Sequence, residues 1–153
     1  MTNNDIFRRL RYLFDYGDTK MIEIFNLVNH EVDKEDVSNW LRKEDDIELE
    51  EMTDRELASF LNGLIIKKRG RREGPPPVSE DLLTNNMIIR KLKITFSYRT
   101  EDILDLFDSV DKSISKHELS AFFRHPESRN YEECGDQYLR YFLNALQQKH
   151  RNN

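Results

Sequence analysis

Residues 3–14, NNDIFRRLRYLF, return 82 positions later as residues 85–96, NNMIIRKLKITF. The longer segment from Asn3 to Arg71 aligns without a gap on Asn85 to Asn153, and 22 of the 69 aligned pairs are identical. The chain is therefore a tandem repeat, and each copy can be read as a homologue of the other.

Apolar residues at helical spacing predict four helices in each repeat. In the first copy Ile6, Leu10 and Phe14 mark the first helix, for which Asn4 is the expected N-cap, and Asp18 is expected to cap the second. No alternating strand pattern competes with this periodicity. The sequence predicts an all-α protein: a tandem repeat of two four-helix units with a pseudo-twofold relation.

The third and fourth helices carry clearer start signals. Ser115 to Glu118 and Thr53 to Glu56 fit the capping box, in which two side chains satisfy two unpaired backbone amides, and Asp33 begins the third helix of the first copy. Trp40 lies on the apolar face of that third helix and aligns with Phe122, so we expect it to be buried.

A basic and proline-rich segment separates the two copies. Residues 1–67 are predicted to form the first repeat, residues 68–83 the linker and residues 84–151 the second repeat. Three consecutive prolines, Pro75 to Pro77, cannot continue a helix and favour an extended conformation. The linker is either a simple spacer or a basic docking segment.

Composition indicates a soluble globular protein of the cytoplasm. Hydrophobic residues make up 37% and charged residues 35% of the 153 residues. No apolar run approaches the ~20 residues of a membrane helix, and the N-terminus lacks the apolar core of a signal peptide. The lone Cys134 forms no internal disulfide and aligns with Met52, which indicates a small buried apolar residue in a reducing compartment.

Polar residues that are identical in the two copies are the candidate partner-binding residues. Three of them recur at a spacing of four and predict one stripe along the third helix of each repeat: Lys34, Ser38 and Arg42, matched by Lys116, Ser120 and Arg124. Secondary candidates are Arg8, Arg90, Asn62, Asn144, Arg69, Arg71 and Arg72. Packing offers an alternative for each, since a cation such as Arg42 in a last helical turn also complements the helix dipole.

The third helix also suggests a nucleic-acid function. Val32 to Trp40 resembles the turn and recognition helix of helix-turn-helix proteins, and Ile114 to Phe122 fits equally well. The tight-turn glycine of that motif is absent, however, and Glu35 and Asp36 would approach phosphates with the wrong sign. Both interpretations of the helix remain open.

Catalytic and metal-binding motifs are absent from the sequence. There is no glycine-rich phosphate loop, no HExxH and no pair of cysteine ligands. None of the four histidines aligns with another across the repeat, and the acidic run from Glu44 to Glu51 lacks EF-hand spacing. We expect no enzymatic activity, no cofactor and no metal.

Several segments together resemble the bacterial YehS-like family. They are NNDIFRRLRYLF, VSNWLRK, ELASFLNGLI and KKRGRREGP, with NNMIIRKLKITF, HELSAFFR and YLRYFLNAL in the second copy. The resemblance implies a small cytoplasmic twofold-repeat protein of unknown function and supplies no catalytic residues. We therefore expect a non-enzymatic binding module, a protein-interaction or regulatory adaptor; the alternative is a nucleic-acid binder with paired third helices. A second copy of the chain, giving a homo-oligomer, is a further alternative partner.

Overall fold

The computed structural model describes residues 1–151 and contains only helices and connecting segments there, which confirms the predicted all-α class. Residues 1–83 form one compact unit and a second unit begins at Thr84. Each unit contains one copy of the repeat and four helices. No helix within the described residues combines the length and the apolar character needed to cross a bilayer.

The helices follow the predicted order in both repeats. The first unit contains α1 (Asn3–Phe14), α2 (Asp18–Asn26), α3 (Lys34–Trp40) and α4 (Asp54–Arg69). The second contains α5 (Asn85–Thr95), α6 (Thr100–Ser109), α7 (Lys116–Phe122) and α8 (Asp136–Arg151).

Two of the predicted helix starts were wrong. The N-cap of α1 is Thr2, whose hydroxyl accepts from the Asp5 amide at 3.0 Å, whereas Asn4 is a buried residue inside the helix. The N-cap of α2 is Gly17, and Asp18 is its first helical residue, where the carboxylate pairs with Arg11 at 3.0 Å. In both cases the residue with the better capping side chain forms a bond to another element instead.

The other start signals are confirmed. Thr53 caps α4 and Ser115 caps α7, each within a capping box completed by a glutamate, and Asp33 caps α3. The turns after the first helices are also equivalent, because Asp15 and Ser97 both adopt the left-handed conformation with φ of 57°. The two repeats therefore share their local backbone devices as well as their helix order.

Each repeat encloses its own aromatic core. In the first unit Phe7 contacts Trp40, Phe25 and Phe60 at ring-centroid distances of 5.8, 6.1 and 5.0 Å. Trp40 is only 3% exposed, as predicted. In the second unit the large buried rings are Phe107, Phe122 and Phe142. Cys134 is buried too, like Met52 at the equivalent position.

The segment between the repeats is packed at both of its ends on the first unit. Helix α4 continues through Arg69, so the first two residues of the predicted linker are helical. At the other end Ser79 accepts a hydrogen bond from buried Ser59 at 2.8 Å, and the amide of Leu83 donates to Asp54 at 2.9 Å. Among the three prolines only Pro76 is partly buried.

Candidate functional site

The predicted stripe along the third helices is shorter than its spacing indicated. Lys34 and Ser38 are exposed on α3, and on α7 Lys116 is exposed and Ser120 is half-buried. Arg42 and Arg124 do not lie in a last helical turn, because α3 ends at Trp40 and α7 at Phe122. The prediction that these arginines continue the helical stripe was therefore wrong.

Both short helices end where their last carbonyl groups accept hydrogen bonds from other elements instead of from the next turn. In the first repeat the acceptor and donor pairs are Asn39 O with the Glu50 amide at 3.2 Å, Trp40 O with Asn4 Nδ2 at 2.9 Å, and Arg42 O with Arg8 at 2.8 Å. In the second they are Ala121 O with the Glu132 amide at 3.2 Å, Phe122 O with Asn86 Nδ2 at 3.0 Å, and Phe123 O with Arg90. Arg8 and Arg90 both donate to a carbonyl group just beyond the short helix, but the acceptors differ by one position, since Phe123 aligns with Leu41 and not with Arg42.

Arg42 is fully engaged by its own repeat. Its Nε donates to Asn39 Oδ1 at 3.0 Å, and its two terminal nitrogens lie 3.3 Å from Asp46 and 3.1 Å from Glu48. The hydrogen bond from the Glu48 amide, and after it the Arg42 guanidinium, hold the pKa of Asp46 below its usual value. This candidate is therefore an internal ion-pair centre within the first repeat.

Arg124 occupies the equivalent position and has none of these partners. Ala121, Ser128 and Asn130 stand where the first repeat has Asn39, Asp46 and Glu48. Its Nε is buried without a hydrogen-bond acceptor, and within residues 1–151 its side chain forms no ion pair. A buried donor left unpaired costs about 1–3 kcal/mol, so such an atom in a native fold needs an explanation.

The loop that follows each short helix nevertheless has the same backbone. The shared hydrogen bonds in the first repeat are Asp46 N to Lys43 O, Leu49 N to Asp46 O and Glu50 N to Asn39 O. Their counterparts are Ser128 N to His125 O, Tyr131 N to Ser128 O and Glu132 N to Ala121 O. The turn at Asp46, whose side chain accepts from the Glu48 amide at 2.9 Å, is matched at Ser128, whose hydroxyl accepts from the Asn130 amide at 3.4 Å. The fold of the loop is retained, and the two carboxylates that contact Arg42 are replaced by Ser128 and Asn130.

Two more cations, which contact the preceding residue Phe123, differ from their counterparts in the same way. In the first repeat Arg8 pairs with Asp5 at 3.2 Å and Arg11 pairs with Asp18 at 3.0 Å. In the second repeat the equivalent cations are Arg90 and Lys93, and the equivalent acids are replaced by Met87 and Thr100.

Arg90 and Lys93 lie against one aromatic ring. Their charged groups are 5.6 and 4.8 Å from the centroid of Phe123, and neither cation has a carboxylate within 4.0 Å in the described part of the chain. We call Arg90, Lys93 and Arg124 the cationic corner of the second repeat. Arginine and lysine stay charged near neutral pH, so this corner is suited to hold an anion.

The remaining candidates lie elsewhere. Asn62 is 5% exposed rather than on an outer surface, and its Nδ2 donates to Glu80 at 3.2 Å. Asn144 is half-buried in α8. Arg69 is the exposed last residue of α4, and Arg71 and Arg72 are exposed just beyond it.

Sequence reasoning selected Arg90 and Arg124 but missed Lys93. The signal for Lys93 in the repeat alignment is the replacement of acidic residues in the second copy, not identity between the copies. Positions 5, 18, 46 and 48 carry carboxylates in the first copy, and positions 87, 100, 128 and 130 carry none in the second. No group of three potential metal ligands occurs within residues 1–151.

Comparisons with known proteins agree with the internal duplication. The family model described as "Protein of unknown function (DUF1456)" matches residues 3–70 and again residues 85–152. The "Uncharacterized protein YehS" of Escherichia coli (strain K12) is 42% identical to this chain over 147 residues, which are 95% of this chain and 94% of the relative. No solved structure shows a significant match. Because the family model covers both repeats and this relative spans nearly the whole chain, the chain belongs to the DUF1456 family, as its resemblance to YehS-like proteins predicted.

Proposed function

We propose that the protein is a non-enzymatic interaction module, a regulatory adaptor that binds a protein partner through the cationic corner of its second repeat. The observation that carries this proposal is Arg124, which has lost all three partners of Arg42 while the surrounding loop keeps its backbone hydrogen bonds. Arginine is enriched at the energetic centres of protein interfaces, where it forms charged and stacking contacts together.

The distribution of charge supports an anionic partner for this repeat. Residues 1–83 contain 13 lysines and arginines against 19 acidic residues, whereas residues 84–153 contain 11 against 10. The first repeat is thus strongly acidic and neutralises its own corner. The second repeat presents the same corner without that neutralisation, and complementary charge at an interface favours encounter and specificity.

The chemistry of the corner supports binding rather than catalysis. Arginine and lysine side chains ordinarily remain protonated near neutral pH, whereas general acid–base catalysis needs a group whose pKa is near the working pH. The histidine His30 belongs to the first unit, where its Nδ1 lies 2.8 Å from the buried hydroxyl of Ser59.

The alternative, a nucleic-acid binder using α3 and α7, has weaker support. Helix α3 is only seven residues long, and the seven residues 27–33 separate it from α2. Glu35 is exposed next to Lys34, and Arg42 is already occupied by two carboxylates. Recognition by a short helix flanked with acids is unfavourable for a polyanion.

Two charge-reversal variants test the proposal against the alternative. The corner variant is Lys93→Glu with Arg124→Glu; the matched control is Lys34→Glu with Lys116→Glu, which has the same net charge and changes the helix stripe. We expect a specific protein to be retained from nuclease-treated bacterial lysate by the wild type and the control, and lost from the corner variant with an unchanged circular dichroism spectrum. Retention by the corner variant, or complete loss on nuclease treatment, would contradict the proposal.

A further inference from the structure

We infer that the cationic corner of the second repeat recognises an acidic segment of the partner, with two carboxylates spaced two residues apart that bind Arg124. This inference rests on the proposed function and names the chemistry of its partner. The first repeat is the template for the occupied state of the same corner.

The first repeat provides the geometry of the bound state. Asp46 and Glu48 lie two residues apart and contact different terminal nitrogens of Arg42, at 3.3 and 3.1 Å. The Glu48 amide donates to Asp46 and holds the two carboxylates in one turn. A planar guanidinium with fixed donors matches this arrangement, and charge-assisted bonds of this kind are stronger than neutral ones.

The second repeat keeps the receptor and lacks this internal ligand. Arg124 remains half-buried at the end of α7, with an unpaired Nε, while Ser128 and Asn130 form the turn without charge. The same loop carries exposed Arg129 where the first repeat has Ile47. The loop thus carries an added cation and offers no carboxylate to Arg124.

The neighbouring cations define the rest of the partner's chemistry. Arg90 and Lys93 lie on α5 one turn apart and both approach Phe123. The equivalent cations of the first repeat, Arg8 and Arg11, pair with acids on α1 and α2 and not with acids of the loop. A longer acidic segment would therefore place further carboxylates on Arg90 and Lys93 after the first two bind Arg124.

A reciprocal graft separates this inference from simple charge attraction. The graft Ser128→Asp with Asn130→Glu gives the second repeat the internal ligand of the first. Because Ser128 and Asp46 form equivalent turns, the loop should keep its fold while Arg124 becomes occupied from within. The opposite graft, Asp46→Ser with Glu48→Asn, should open Arg42.

The probe is a labelled synthetic peptide of sequence KEDDIELEE, which is residues 43–51. In titrations of the full-length protein followed by fluorescence anisotropy, we expect one peptide per wild-type chain and binding at least about tenfold weaker to the Ser128→Asp/Asn130→Glu graft, a change of roughly one decade in Kd. The opposite graft should bind a second peptide. A control peptide, in which Ser replaces the second Asp and Asn replaces the Glu that follows it, should bind weakly to every variant.

Other outcomes would overturn the inference. One is equal binding of the peptide by the wild type and by the graft. The other is displacement of the peptide by inorganic phosphate at concentrations similar to that of the peptide, which would indicate a general anion site. The lysate experiment separates this failure from failure of the proposed function. If the graft retains the cellular partner and Lys93→Glu/Arg124→Glu loses it, the adaptor function stands and the acidic-segment inference fails.

Discussion

Asn4 and Asn86 are single side chains that join three elements of each repeat. Asn4 donates from Nδ2 to Trp40 O at 2.9 Å and Glu50 O at 2.8 Å, and its Oδ1 accepts from the Met52 amide at 2.9 Å. Asn86 forms the equivalent three bonds at 3.0, 2.8 and 2.9 Å. An amide suits this position because it combines two donors and an acceptor in one buried group.

Asn4→Asp is accordingly predicted to destabilise the first repeat by about 3 kcal/mol, since it removes both donors and places a carboxylate against two carbonyl groups. The loss is measured by urea denaturation followed by the fluorescence of Trp40, the lone tryptophan of the chain. The exposed Asn26→Asp on α2 is the control and should change stability by less than about 0.5 kcal/mol. Equal effects of the two substitutions would show that the three bonds contribute little.

Cys134 should behave as an apolar residue and not as a reactive thiol. Burial, and after it the nearby charge of Asp136, raises the pKa of this thiol from 9.0 to about 12. We predict slow reaction with a disulfide reagent at pH 8 in the native state and complete reaction in denaturant. At pH values above 9 the thiol of the unfolded chain is ionised, whereas the thiol of the folded chain stays protonated up to about pH 12. This group's contribution to stability therefore falls between pH 9 and 12. Rapid labelling of native protein would contradict this assignment.

At the scale of helices, Gly63 sets the distance between α2 and α4. A Cβ atom built there would lie 2.1 Å from the carbonyl oxygen of Ile24, far inside van der Waals contact. The equivalent residue of the second repeat is Ala145, which is fully buried in α8. The contact of α2 with α4 is therefore tighter at this point than the contact of α6 with α8.

Gly63→Ala is expected to destabilise the first repeat by about 3 kcal/mol, because α2 must move to admit the methyl group and the gain in helix propensity is smaller. The matched control is Ala145→Gly, which should cost about 1 kcal/mol through backbone entropy and the lost methyl contact. Thermal unfolding monitored by circular dichroism compares the two. A neutral or stabilising Gly63→Ala would mean that the helices separate without loss of packing.

Helix order, the capping boxes and the burial of Trp40 were predictable because they depend on residues close in sequence. The errors at Asn4 and Arg42 have a common cause. Asn4 bonds to residues 36 to 48 positions away, and those bonds both remove it from capping and end α3 before Arg42. Periodicity contains no information on such distant pairs. The repeat alignment partly predicts that Arg124 lacks an ion pair, because Ser128 and Asn130 replace the acids that pair with Arg42. The burial of its Nε depends on tertiary packing, which the alignment does not contain.

Across the whole molecule, duplication has been followed by divergence of charge. The first unit has six more acidic than basic residues, and the second has one more basic than acidic residue. An acidic partner is therefore repelled by the first unit and meets almost no net charge on the second, which directs it to the second repeat. Exposed charges are screened beyond about 10 Å at 0.1 M salt, so this preference acts mainly at short range and in encounter rate.

The same charge balance leads us to predict that mixed-sequence duplex DNA binds no more tightly than about 10 μM at physiological salt, a range that nonspecific binders commonly reach. The chain carries a formal charge of −5, and the exposed Lys34 is followed directly by Glu35. Anisotropy of a labelled duplex over a salt series measures both the affinity and the slope of log affinity against log salt, to which each phosphate contact contributes about 0.9. Submicromolar, salt-sensitive binding that Lys34→Glu/Lys116→Glu abolishes and Lys93→Glu/Arg124→Glu retains would assign the function to α3 and α7 as nucleic-acid readers. The opposite pattern would instead identify the cationic corner as the phosphate contact, because its three cations have no carboxylate partner to displace within residues 1–151.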